Sequence, residues 1–149
     1  MTGSCDPDRV RTDPHRPDRY DAVDYTPYPQ SVPRARRRVA HLAAEWGHPG
    51  AAGDAALLAS ELCTNALLHG SLRDRLFRVE TSLSGRVLRI AVTDPKGERL
   101  PEPRAASGGD QFGRGLLIVG VLAHRWAVEN LTVGKTVWAE LNVPGNTDA

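Results

Sequence analysis

The chain has 149 residues, 40% of them apolar and 25% charged, which fits one globular domain with a single sizeable core. A formal net charge of +1 supplies no global field to draw in nucleic acid or an anionic membrane, so direct nucleic-acid binding is not expected. No run approaches the roughly 18 apolar residues of a membrane span, and the N-terminus lacks the apolar stretch of a secretory signal, so a cytoplasmic protein without membrane association is expected.

Residues 1–24 are rich in Asp, Arg and Pro and poor in large apolar side chains, so they are expected to form a disordered tail ahead of a domain at 25–145. Tyr25 to Tyr28 can add a short edge strand. Ser31 as N-cap and Pro33 in the first turn then open a helix to about Trp46, closed by Gly47, Pro49 and Gly50. A second helix is expected from Asp54 to Leu68, with His69 in its last turn, Gly70 as its stop, and Leu57, Leu58, Leu62 and Leu68 on its apolar face.

From Leu76 to Leu83, Phe77, Val79, Thr81 and Leu83 alternate with Arg78, Glu80 and Ser82, the period of a half-buried strand. After a Ser84-Gly85 turn, Leu88, Ile90 and Val92 alternate with Arg89, Ala91 and Thr93 and complete a hairpin ending at Asp94. Pro95 to Phe112 is a long stretch rich in Pro, Gly and charge, a candidate lid. Gly115 to Ala123 reads as a short buried helix, and Trp126 to Leu131 with Thr136 to Val143 as a closing strand pair. The expected fold is α+β, a two-layer sandwich with helices on one face of a mostly antiparallel sheet.

Three places combine chemistry with an inward position. Glu61 and Asn65, on adjacent turns, fall inside the arc of the second helix's leucines; a buried carboxylate there needs a partner, and their oxygens are hard ligands suited to Mg²⁺. A Glu beside a metal-bound phosphate can also orient or deprotonate a nucleophile. Asp94 shares the parity of Leu88, Ile90 and Val92, so it faces the core where the chain leaves the sheet and can accept from an exocyclic amine; Gly97 leaves room for a flat base. Gly113-Arg114-Gly115 precedes the apolar run Leu116 to Val119 and places free N–H groups at a helix start, a phosphate cradle. Taken singly, these have plainer readings: a satisfied core network, an Asp-Pro turn and a loop hinge.

In this order, Glu61-Leu62-Cys63-Thr64-Asn65-Ala66, Asp94-Pro95-Lys96-Gly97 and Gly113-Arg114-Gly115-Leu116 resemble the gyrase, chaperone, histidine-kinase and mismatch-repair (Bergerat-fold) ATPase superfamily. The stretch from Glu61 to Gly70 and the closing Gly134 to Leu141 look like its single-domain anti-sigma-factor serine-protein kinases, and the resemblance covers about Tyr25 to Val143. It implies Mg-ATP as cofactor, Glu61 as the base or water-orienting carboxylate, and Asn65 as the Mg²⁺ ligand. It makes Asp94 the adenine reader, with Gly97 beside it, and Gly113, Arg114, Gly115 and Leu116 the phosphate motif. Thr136 would support the base from the closing strand. The implied partners are an anti-anti-sigma antagonist, phosphorylated on serine, and a sigma factor, and a homodimer is compatible with it. Where the family has a second glycine after the one matched by Gly97, Glu98 and Arg99 stand instead, a departure that bears on lid geometry and turnover. An ATP-dependent module that sequesters a sigma factor with little or no kinase activity is the alternative.

Other motifs are set aside. Gly134-Lys135-Thr136 mimics a Walker loop, but the first glycine should fall at 129, which is Glu129, and a strand follows. The run Arg34, Arg36, Arg37 and Arg38 reads as a solvated helix face, and His41 lies too close to Glu61 for a phosphoacceptor hairpin. Cys5 and Cys63 have no metal or redox spacing, and Cys63 falls opposite Glu61 on the helical wheel.

Overall fold

The structure, a computed structural model, describes residues 16–69, 75–94, 116–131 and 134–144. In chain order these form β1 (Arg19–Tyr25), α1 (Ser31–Glu45), a 3₁₀ turn (Pro49–Ala51), α2 (Ala52–His69), β2 (Phe77–Ser84) and β3 (Val87–Asp94). A short helix α3 at 116–122, β4 (Arg125–Leu131) and β5 (Gly134–Asn142) follow. The five strands make one sheet in the order β1-β2-β3-β5-β4, and every pair is antiparallel. α1 and α2 pack on each other, α2 rests on β3 and β5, and α1 on β2. This is the expected α+β sandwich.

The hairpin forms because period-2 apolar residues place Phe77, Val79, Thr81 and Leu83 of β2 beside Leu88, Ile90 and Val92 of β3 in one buried face. Ser84 pairs with Val87 across a two-residue turn, and Gly85, with φ of 59°, takes the left-handed position a type II′ turn requires. Gly47 closes α1 with φ of 97°: its N–H reaches the Ala44 carbonyl and that of His48 the Ala43 carbonyl, the paired bonds of a Schellman cap.

Three expectations need correction. The edge strand lies at Arg19–Tyr25 and not at 25–28, so it takes residues read as tail. Its polar sequence is held by neighbours distant in the chain: Asp24 pairs with Arg78, Asp21 with Arg38 of α1, and Tyr25 stacks on Phe77 at 5.8 Å. Ser31 is not the N-cap of α1. Gln30 holds that place, and the buried Ser31 hydroxyl shares a 2.9 Å hydrogen bond with Thr26.

The third correction concerns α2. Its buried stripe is Ala55, Leu58, Ala59, Leu62 and Cys63, whereas Leu57 and Leu68 are 41% and 66% exposed. Small side chains let the neighbouring elements approach, so the packed face is rotated toward the alanines. Leu62→Ala is therefore expected to cost about 2–5 kcal/mol of stability. Leu57→Ala, five residues earlier, should stay within about 1 kcal/mol. Urea denaturation of both variants checks this, and equal losses would contradict the rotated face.

Candidate functional site

α2 and β3 bring the sequence candidates to the layer between helix and sheet. Asn65 is 6% exposed on the buried face of α2, continuing the stripe of Leu58 and Leu62. Its Nδ2 has no hydrogen-bond partner among the described residues. A buried amide N–H₂ left unmatched costs about 1–3 kcal/mol, so an acceptor supplied by a ligand or by a residue outside those described would stabilise it. Glu61, one turn earlier, is half-buried, because the rotation of the packed face leaves it at the rim. There a carboxylate keeps access to solvent or substrate while staying adjacent to Asn65.

Asp94 ends β3 with 2% exposure, on the helix-side face as its parity requires. Asn65 and Asp94 are thus both buried on elements that pack together, α2 and β3. Leu116 and Val119 of α3 are buried against the same core, but Leu117, Ile118 and Val121 are exposed, so the helix read as short and buried is amphipathic. Gly97, Gly113, Arg114 and Gly115, and with them the lid from Pro95 to Phe112, lie outside the described residues.

Cys63 is fully buried in the core, and desolvation pushes its thiol up to about 12, so it stays protonated and chemically silent. This agrees with its place away from Glu61. Among the described residues no group of three or more His, Cys, Asp or Glu side chains could hold a metal ion. No helix among those residues is long and apolar enough to cross a membrane.

Thr136 does not join the site. Val137, Ala139 and Leu141 of β5 face the core, so Thr136 faces the other side of the sheet, where its hydroxyl meets that of Thr93 at 2.7 Å. That outer face carries a polar cluster of its own. Glu140 accepts from Arg89 at 3.0 Å and pairs with Arg125 at 3.3 Å, the Arg89 guanidinium lies 4.2 Å from the Trp138 ring centroid, and Trp138 Nε1 donates to Glu129 at 3.1 Å. The groove there is lined by Glu80, Arg89, Arg125, Glu129 and Thr136 among others, yet the charges just paired satisfy one another across it. It is separate from the layer holding Asn65 and Asp94. The polar residue of β5 that shares the helix-side face with Val137, Ala139 and Leu141 is Lys135, opposite Asp94 in the strand register, which motif reading passed over. Strand parity was the signal that could have found it.

The comparisons agree with this architecture. The fold is similar to the crystal structure of the RsbU and RsbW domains of Rv1364c from Mycobacterium tuberculosis, with a TM-score of 0.65 and 19% identity over 87% of this chain. The chain spans about a third, 34%, of the length of that protein. No curated protein matches it. The family described as histidine kinase-like ATPase domain matches residues 25–141, most of the sequence, and the chain belongs to that family.

Proposed function

We propose that the chain is an ATP-binding regulatory serine-protein kinase of the anti-sigma-factor type, which binds Mg-ATP and phosphorylates a serine on an anti-anti-sigma antagonist in the cytoplasm. The observation that carries the reading is the buried Asn65 of α2, whose amide has no partner among the described residues, together with Asp94 on the helix-side face of the sheet, in a chain of this ATPase family.

In this reading Asn65 offers Oδ1 to the cation and Nδ2–H to a phosphate oxygen, which would match the otherwise lone donor. Mg²⁺ supplies charge neutralisation for the phosphates when bound. The Asp94 carboxylate accepts from the adenine amino group, and the cradle of Gly113, Arg114, Gly115 and Leu116 takes the phosphates with N–H groups at the start of α3. Glu61 accepts the proton of the serine hydroxyl as its oxygen attacks the γ-phosphorus, and the bond to the bridging oxygen breaks to release ADP. Incubation with labelled ATP and a serine-bearing antagonist tests the proposal; label should appear on the antagonist and disappear when its serine is changed to alanine.

A second reading is favoured by one observation. Glu98 and Arg99 stand where the family has a further glycine, and a stiffer, charged segment there would suit a module that binds a sigma factor in an ATP-dependent way with little transfer. Tight sigma-factor binding in ATP without label transfer would select it.

Either reading requires adenine selectivity. ATP should bind more tightly than GTP, because guanine would turn its keto oxygen toward the Asp94 carboxylate. Calorimetry should show Asp94→Ala losing about tenfold or more in ATP affinity. Equal binding of ATP and GTP by the parental protein would remove Asp94 from the site.

A further inference from the structure

Two apolar rows on the helix-side face end in opposite charges side by side. Along β3 the row is Leu88, Ile90, Val92, then Asp94; along β5 it is Leu141, Ala139, Val137, then Lys135. Each residue of one row is the register partner of one in the other, so Asp94 faces Lys135 across the strands. Directly opposed side chains have Cβ atoms about 4.5–5.5 Å apart, which puts carboxylate and ammonium within reach of adjacent atoms of one small ligand. Asp94 is buried and Lys135 half-buried, so the pair closes the apolar layer at one end and opens toward solvent.

We infer that Lys135 is a specificity-determining residue that donates to N1 of the adenine ring while Asp94 accepts from the neighbouring amino group. The inference rests on the nucleotide-binding reading above and extends it. An acceptor and a donor set side by side match the hydrogen-bonding edge of adenine, whose amino group donates and whose N1 accepts. They oppose guanine at both points, since its keto oxygen would meet the carboxylate and its N1–H the ammonium. A cross-strand ion pair that served the sheet alone would affect stability without distinguishing one purine from another.

The test is calorimetric titration of the full chain and its Lys135→Met and Lys135→Arg variants with Mg-ATP and with Mg-1-deaza-ATP, in which a C–H replaces N1. The parental protein should prefer ATP to the analogue by about tenfold, the ratio expected for one hydrogen bond to a charged group. Lys135→Met should lose that preference by weakening ATP alone, and Lys135→Arg should keep most of it. Circular dichroism on each variant confirms the fold. Equal weakening of both nucleotides by Lys135→Met, or an unchanged preference, overturns the inference while leaving the ATP site in place. If the parental protein binds neither nucleotide, the ATP-binding reading fails, and this inference with it.

Discussion

Replacing Glu61 by alanine is expected to lower phosphoryl transfer to the antagonist serine by about 10²–10⁴-fold, the range for loss of a positioned acid or base, while leaving Mg-ATP affinity within about tenfold. The reason is the difference between ground state and transition state. A group that takes a proton from the attacking hydroxyl gains most of its interaction as the bond forms, so its loss is felt in turnover more than in binding. Its half-buried place at the rim of the packed face of α2 supports this split, because truncating it leaves the core stripe of Leu58 and Leu62 intact. Transfer of labelled phosphate and calorimetric ATP affinity, measured on the same folded preparation, check the result. Parental transfer rates in Glu61→Ala would remove Glu61 as the base, whereas absence of transfer by the parental protein itself would favour the sequestering module.

The elements legible in the sequence were those whose information is local. β2, β3 and β5 follow from alternating apolar residues, and α1 from Pro33 in its first turn with a terminal glycine whose left-handed φ only glycine adopts without strain. Asp94 was placed correctly by parity alone, since a residue two positions beyond Val92 must share its face. What escaped depends on partners far along the chain. β1 is too polar to declare itself, and its order comes from Arg78, Phe77 and Val79 across the sheet and Arg38 beneath. The rotation of α2 was hidden because leucine counts for more than alanine in any hydrophobic pattern, whereas close packing with α1 selects the smaller side chains.

Thr136 shows how sharp this boundary is. Motif matching favoured the threonine after Gly134-Lys135, but a strand turns its side chains over at every residue, and the β3–β5 register gives the helix-side face to Lys135. A one-residue difference separates a residue of the helix-side face from a member of the outer polar cluster. Parity along β5, counted from the apolar Val137, Ala139 and Leu141, would have made the choice from the sequence. That the Asn65 amide has no partner among the described residues could not have been read this way, because it depends on what surrounds a side chain in three dimensions.

Asn65→Ala should behave unlike Glu61→Ala, with ATP affinity and transfer falling together. Asn65 would meet the cation through Oδ1 and a phosphate through Nδ2–H in the ground state as well as in the transition state, so both are weakened. Loss of a ligand to a hard cation should also make the remaining activity respond to added Mg²⁺, partly recovering as the weakened site is filled by mass action. Stability moves in the opposite direction from the usual polar-to-alanine change at a buried position. The parental protein without nucleotide carries a buried N–H₂ with no partner among the described residues, and removing it relieves a desolvation cost of about 1–3 kcal/mol against the loss of packing around a small side chain. The nucleotide-free variant should therefore unfold at a urea midpoint equal to or above that of the parental protein. In saturating Mg-ATP the order should reverse, because ligand binding stabilises the parental fold more. Paired denaturation curves with and without nucleotide decide it. A variant that is less stable in both conditions would make Asn65 a structural residue of the α2 core and leave the metal to other groups.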